Sequence, residues 1–400
     1  MPFDIAQVRS EFPALAEGVA HFDGPGGSQV PRAVGQAVAE TLCSGIANRG
    51  AVTAAERRAE AVVTGARAAV ADLLGCRPAG VVFARSMTQA TYDMARALAK
   101  GWSGGDEVVV TRLDHDANIR PWVAAAEAAG ATVRWADFDP GTGRLTVDDV
   151  AAVLSPRTRL VAVTAASNLL GTRPDIPAVA AAAHAVGALV YVDGVHLTPH
   201  APVSMADLGA DFYACSPYKF FGPHHGVLAA APELLETVHP DKLQPSTDAV
   251  PERFELGTLP YELLAGTTAA VDFAAALGGS RDGSRRTRLL DSMRQVETYE
   301  AELFARLLDG LAAIGAVTLH GSPGDRTPTA LFSVAGRSPQ EVYEHLAALG
   351  VNAPAGSFYA IEPARRIGLG AAGAVRAGIS PYNTTDDVDR LLAGVASAAR

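Results

Sequence analysis

Short apolar runs recur along this chain, separated by helix-like segments, and that alternation leaves few folds open to it. The runs are Val81-Val82-Phe83, Val108-Val109-Val110, Thr132-Val133-Arg134-Trp135, Leu160-Val161-Ala162-Val163 and Leu189-Val190-Tyr191-Val192. Helix-like stretches lie between them at about 88–100, 118–129 and 176–186, after Ala-rich amphipathic segments at 31–43 and 54–75. Strands that are apolar on both faces and alternate with helices predict a mostly parallel sheet covered by helices on each side. Ligands of such sheets collect beyond the carboxyl ends of the strands. Residues 85–89, 114–118, 167–168, 193–196 and 216–219 therefore mark where chemistry is expected.

The rhythm changes after about residue 284. The polar stretch Ser280-Arg281-Asp282-Gly283-Ser284-Arg285-Arg286 is followed by a long amphipathic helix at about 287–314, then by apolar runs near 317–320, 330–334 and 374–379 with a helix at 339–349. That reads as a smaller α+β domain. Because 400 residues exceed what one core usually organises, the expected division is 1–20, a segment packing with the small domain, 21–284, a large domain, and 285–400, a small C-terminal domain. A formal charge of -10 without a basic stripe argues against nucleic acid and anionic membrane as partners. No apolar run approaches a membrane span. The start, MPFDIAQVRSEFPAL, carries acidic residues and no long apolar run, so it does not read as a signal peptide, and a cytoplasmic location is expected. Cys43, Cys76 and Cys215 are odd in number and far apart, which predicts neither a disulfide framework nor a zinc site.

Four segments carry chemistry. Lys219, bounded by Tyr218 and Phe220, follows the apolar stretch at 212–215. Burial disfavours its ammonium form, and a lysine with a depressed pKa is a good amine nucleophile for an aldehyde; a snorkelling surface lysine is the alternative. Asp193 ends a fully apolar run, where a carboxylate needs a cationic partner such as a protonated pyridine nitrogen, or else caps the following helix. Ser86-Met87-Thr88-Gln89-Ala90 opens a helix, an arrangement that serves phosphate binding and plain capping equally. His115, in Asp114-His115-Asp116-Ala117-Asn118, sits at another strand end with no second His or Cys at metal-ligand spacing.

Taken together, these segments resemble the class V aminotransferase family of pyridoxal 5'-phosphate (PLP) enzymes, in its cysteine desulfurase-like branch, from about His21 to Arg390. His21-Phe22-Asp23-Gly24-Pro25-Gly26-Gly27-Ser28-Gln29-Val30-Pro31 looks like the family's N-terminal active-site turn. The stretch 114–118 resembles its Glu-His-x-Ala-Asn element, and Ser167-Asn168-Leu169-Leu170-Gly171 resembles its Ser-Asn-x-x-Gly loop. Ser216-Pro217-Tyr218-Lys219 matches its Ser-x-x-Lys pattern, and Arg376 through Asn383-Thr384 matches its C-terminal Arg motif. The resemblance implies PLP fold type I, with a mixed, mostly parallel seven-stranded sheet. It implies Lys219 as the Schiff-base lysine, Asp193 as the pyridinium partner and His115 as the ring that stacks on the cofactor. Asn168 and His196 would lie near O3', with His196 standing where a glutamine is usual. Met87, Thr88 and Ser216 would hold the phosphate end, while Arg376, Asn168, Gly26 and Tyr359 would meet the substrate. Arg253-Phe254-Glu255-Leu256-Gly257-Thr258 resembles the stretch that reaches the partner subunit's phosphate, so Thr258 and a homodimer with shared active sites are implied. No metal is called for.

The chain departs from the pattern where a desulfurase carries its persulfide cysteine. The stretch Val351 to Ala360 contains no cysteine; Tyr359 falls near the expected place, Pro354 near that of a second substrate-side arginine, and Tyr218 where a histidine usually precedes the lysine. The expectation is a PLP-dependent lyase that cleaves a C–S or similar bond in a cysteine-type or other β-substituted amino acid without a protein thiol. The alternatives are aminotransfer, epimerisation or cyclisation, and a non-catalytic PLP-binding protein. His224-His225 is expected to play a loop role rather than to bind metal.

Overall fold

The computed structural model describes residues 3–400; Met1 and Pro2, part of the expected 1–20 segment, lie outside the described residues. Its strands, in chain order, are β1 (Ala20–His21), β2 (Val81–Ala84), β3 (Glu107–Thr111), β4 (Thr132–Ala136), β5 (Thr158–Thr164), β6 (Leu189–Asp193), β7 (Phe212–Cys215), β8 (Gly226–Ala230), β9 (Val317–Leu319), β10 (Thr329–Val334), β11 (Val351–Asn352), β12 (Ala355–Gly356) and β13 (Ala374–Gly378).

The large sheet has seven strands in the order β2-β8-β7-β6-β5-β3-β4. All pairings are parallel except those of β8, which runs antiparallel to both β2 and β7. Successive side chains point to opposite faces of a strand, and here both faces are core. Val109, Val161, Val163, Val190 and Val192 pack into one apolar cluster, while Val108, Val110, Leu160, Ala162 and Tyr191 pack into the other. That is why these runs are apolar throughout. The helix Ala54–Leu74 shows how local signals set the flanking layer: Thr53 and Glu56 form a reciprocal capping box, and Gly75 ends the helix in the left-handed conformation.

The later part of the chain forms an antiparallel sheet in the order β12-β13-β10-β9, packed on the long helix Arg285–Ala312. The pair β1–β11 is parallel and joins His21, where the large domain is expected to begin, to Asn352. The N-terminal segment touches both parts of the chain. Val8 and Phe12 cluster with Phe221 and Leu277 as well as with Met293, Val296 and Tyr382, and Arg9 pairs with Asp387 at 3.0 Å. The helix–strand alternation and the smaller α+β unit read from the sequence are both present. No helix among the described residues is long and apolar enough to cross a membrane.

Candidate active site

A cavity of about 340 Å³ opens at the carboxyl ends of the parallel strands, and Gly26, Met87, Thr88, His115, Asn168, Asp193, His196, Ser216, Lys219, Tyr359 and Arg376 line it. These residues lie far apart in sequence and meet because most of them end or follow strands at one edge of the large sheet, while Gly26, Tyr359 and Arg376 come from the N-terminal turn and from the smaller sheet with its loop. Thr258 is not among them; it is exposed in its own chain. Among the described residues no three His, Cys, Asp or Glu side chains gather as a metal site. His225 is buried with Nε2 at 2.6 Å from Thr267 Oγ1, and His224 stacks on Tyr218 with ring centroids 4.8 Å apart.

Lys219 is half-buried in the short helical turn after β7, and its Nζ donates to the Pro25 carbonyl. Burial, reinforced by the Arg376 charge and opposed by Asp193, lowers its pKa to about 7. A snorkelling lysine would extend outward from the surface; this one turns inward to a loop carbonyl. Asp193 ends β6 with 4% of its surface exposed, and Oδ1 accepts from the Val195 N–H at 2.9 Å. Burial raises its pKa to about 6, against the pull of the Val195 hydrogen bond and of Lys219. Its carboxylate thus closes a tight turn and caps no helix.

Ser86 does cap. Its hydroxyl accepts from the Gln89 N–H at 3.0 Å and starts the helix Met87–Ala99. The start of β8 crosses directly beneath that turn. A Cβ on Gly226 would sit 2.1–2.4 Å from the Ser86 and Met87 backbone, so only glycine allows this approach. Gly226→Ala is expected to cost about 1–3 kcal/mol through the forced backbone shift, read as a lower Tm.

His115 Nδ1 accepts from the Ala117 N–H at 3.0 Å, so the neutral ring carries its proton on Nε2. Burial, with the Lys219 and Arg376 charges, pushes its pKa down to about 4. One face of the ring stacks on Tyr359, with centroids 5.7 Å apart. Behind it, buried Asp114 accepts from the Asn118 side chain at 2.6 Å and from Thr111, and burial raises its pKa to about 8.

Arg376, on β13, donates from Nη1 to the Asn168 carbonyl at 2.9 Å, and its guanidinium lies 3.7 Å from the centre of the Phe358 ring. Its Nε is buried without a hydrogen-bond partner, and burial lowers its pKa to about 9. The Asn168 amide donates to the Phe358 carbonyl at 3.0 Å, while its own Oδ1 is buried and unmatched. Such orphaned polar atoms are costly unless a ligand meets them. Phe358 and Tyr359 both adopt left-handed backbone conformations, at φ 54 and 57, which costs roughly 1–2 kcal/mol per residue for an L side chain. The Asn168–Phe358 bond and a 2.8 Å bond from the Asp116 N–H to the Tyr359 carbonyl hold them there.

His196 has Nε2 at 2.9 Å from Thr329 Oγ1, and its ring meets His200 edge to face at 5.2 Å. His200 Nδ1 lies 2.8 Å from buried Glu300. The sequence reading missed Thr329 and Glu300. Nothing local to Glu300 or Thr329 points to this loop.

The aminotransferase class-V family model matches residues 20–391. The chain belongs to that family. A cysteine desulfurase of Klebsiella pneumoniae is 33% identical over 420 residues, covering 99% of this chain and 98% of that protein. An aminotransferase-like protein of Gibberella zeae, FGM3, is 32% identical over 409 residues, covering 98% and 97%. The crystal structure of the Escherichia coli cysteine desulfurase CsdA superposes with a TM-score of 0.87 at 28% identity, covering 100% of this chain and 99% of that one. The fold is PLP fold type I, as the motifs implied, and the protein is a PLP-dependent class-V enzyme. The donor set suits that cofactor: a half-buried lysine of depressed pKa, a buried carboxylate at a strand end, and the start of a helix lie around one cavity.

Proposed function

We propose that this class-V enzyme is a lyase that removes the β-substituent of a cysteine-type or related amino acid without a protein thiol. The observation that carries this reading is the mouth of the site, where Tyr359 stands beside Lys219, Asp193 and Arg376. No cysteine lines the cavity: Cys43 is exposed, Cys76 lies in a turn and Cys215 is buried in β7. Burial pushes the Cys76 thiol up to about 12 and the Cys215 thiol higher still, so neither is a ready nucleophile.

Bound PLP supplies an electron sink for the pair left when the Cα–H bond breaks. In this reading Lys219 would hold the cofactor's aldehyde end, and its amine would take the Cα proton. Asp193 would face the ring nitrogen and keep it protonated. His115 would give the ring a neutral flat neighbour, Asn168 and His196 would meet O3', and Met87, Thr88 and Ser216 would hold the phosphate end. Arg376 offers its unmatched Nε edge to the substrate carboxylate, a role that suits a planar fork. The Cβ–S electrons leave with sulfur, and hydrolysis of the eliminated product gives pyruvate and ammonia.

A panel of cysteine derivatives assayed for pyruvate, alanine and sulfide tests this reading. Pyruvate with released thiol is expected, and no elimination or desulfuration from any of them overturns it. The name of the Gibberella relative favours aminotransfer as a second reading, which predicts a keto acid and pyridoxamine phosphate accumulating with an amino donor.

Thr258, exposed and away from its own cavity, supports a homodimer in which it reaches the partner's phosphate end. A monomeric mass for the PLP-loaded protein in light scattering would sink that part.

The depressed Lys219 pKa makes a further prediction. Only the neutral amine attacks an aldehyde, and its fraction rises with pH through the pKa. Capture of PLP by the apoprotein, followed by absorbance, is expected to speed up with a midpoint near pH 7, whereas an ordinary lysine would place it near 10.5.

A further inference from the structure

Resting on the reading of this cavity as a PLP site, the charges around it constrain the substrate's side chain. Three charged groups line the cavity, Lys219, Asp193 and Arg376. In the proposed reading all three are already engaged, Lys219 at the cofactor aldehyde, Asp193 at the ring nitrogen and Arg376 at the α-carboxylate. His115 is neutral, because burial holds its pKa near 4, and burial lowers that of His196 as well. What remains at the mouth is Pro25, Gly26, Tyr218, Phe358 and Tyr359, all uncharged and mostly aromatic.

The backbone strain supports the same conclusion. Two consecutive left-handed residues without glycine are expensive, and strain of this kind persists where function uses it. Here it sends successive rings to two places. Phe358 covers the face of Arg376 at the carboxylate end, and Tyr359 stands on His115 at the mouth with 76% of its surface exposed. A single exposed aromatic is ordinary on a protein surface. One pinned in a strained conformation, backed by the half-buried His115 ring and bordering a cavity, is a platform waiting for a flat apolar group.

We propose that the enzyme selects amino acids whose β-substituent is uncharged and apolar, with an aryl or bulky alkyl thioether favoured over a thiol or any charged group, and that Tyr359 is the specificity-determining residue. An anionic substituent would enter among rings that offer it no partner, which is costly, and a cationic one would find only ring faces, which repay little of its lost hydration at an exposed site. An apolar one would gain contact with Tyr359, and even a methylene in such a pocket is worth about tenfold or more.

Binding tests the idea independently of which bond the enzyme breaks. S-benzylcysteine, S-methylcysteine, S-carboxymethylcysteine and S-(2-aminoethyl)cysteine would be titrated into the PLP-loaded enzyme, with Kd read from the change in cofactor absorbance. S-benzylcysteine is expected to bind at least about tenfold more tightly than either charged analogue. Tyr359→Ala should narrow its advantage over S-methylcysteine, and Tyr359→Arg should shift preference toward S-carboxymethylcysteine. Charged analogues binding as well as S-benzylcysteine, an unchanged preference in Tyr359→Ala, or no spectral response to any of the four would overturn the proposal. If the binding order holds but no bound ligand loses its β-substituent, the lyase reading fails and this specificity stands.

Discussion

Lys219→Ala is expected to abolish covalent capture of PLP and to lower turnover by roughly 10²–10⁴-fold, the range lost with a positioned general base. Other contacts would still hold the phosphate and ring, so the variant should retain cofactor that denaturation or gel filtration releases freely. Its absorption should match free PLP rather than a lysine-bound form. An added primary amine should restore part of the rate, because the missing group is an amine and the cavity is left with room for one. The fold should survive: burial already makes the charged form of Lys219 unfavourable, and its side chain's one hydrogen bond goes to a loop carbonyl, that of Pro25. A variant that keeps wild-type turnover would remove Lys219 from the chemistry.

Asp193→Asn is expected to separate activity from stability. In the holoenzyme, loss of the carboxylate removes the group proposed to hold the ring proton. The rate of Cα proton exchange should fall by roughly 10²–10³-fold, the scale of losing one preorganised electrostatic contact. In the apoprotein the sign reverses. The Asp193 pKa is about 6 when folded and 3.8 as a free group. Between those values the native state holds a proton that the unfolded state has lost, so stability falls as pH rises through 6. At pH 8 the wild-type apoprotein bears the full cost of a buried charge, and Asn does not. Apo Asp193→Asn should therefore melt higher than apo wild type at pH 8, with the gap closing toward pH 4. PLP should reverse the order by giving the wild-type carboxylate its partner.

Periodicity made much of this architecture legible. The five runs each became a strand: four are buried on both faces and have no polar side to disguise them, while β4, at the sheet edge with Thr132 and Arg134 exposed, shows its alternation instead. The pair β1–β11 was not legible: at two residues per strand it shows no period at all. β8 begins with glycine and ends in alanines, and a run this small carries little hydrophobic signal. At the site, the carboxyl-end rule and the ordered motifs singled out the lining residues, since strand ends are encoded locally. The left-handed Phe358-Tyr359 pair left no trace, because neither position is the glycine that would announce it. The edge of Arg376 left without a hydrogen bond was equally hidden, being fixed by Asn168 and Phe358 from elsewhere in the chain.

The antiparallel strand β8 also has a consequence for the order in which the molecule is built. β2 lies at the sheet edge and is bonded only to β8, with Val81 opposite Ala229. As the chain leaves the ribosome, β3 to β7 can pair among themselves while β2 waits for a strand synthesised much later. The helix start at Met87 waits with it, because the surface it rests on is Gly226. Pairing of such distant segments is slow and comes late. The lysine end of the cavity, with Ser216, can thus be in place on a nascent chain that still lacks the helix start at Met87 and Thr88, and the nascent chain gains that part of its cofactor site only when β8 closes the seam.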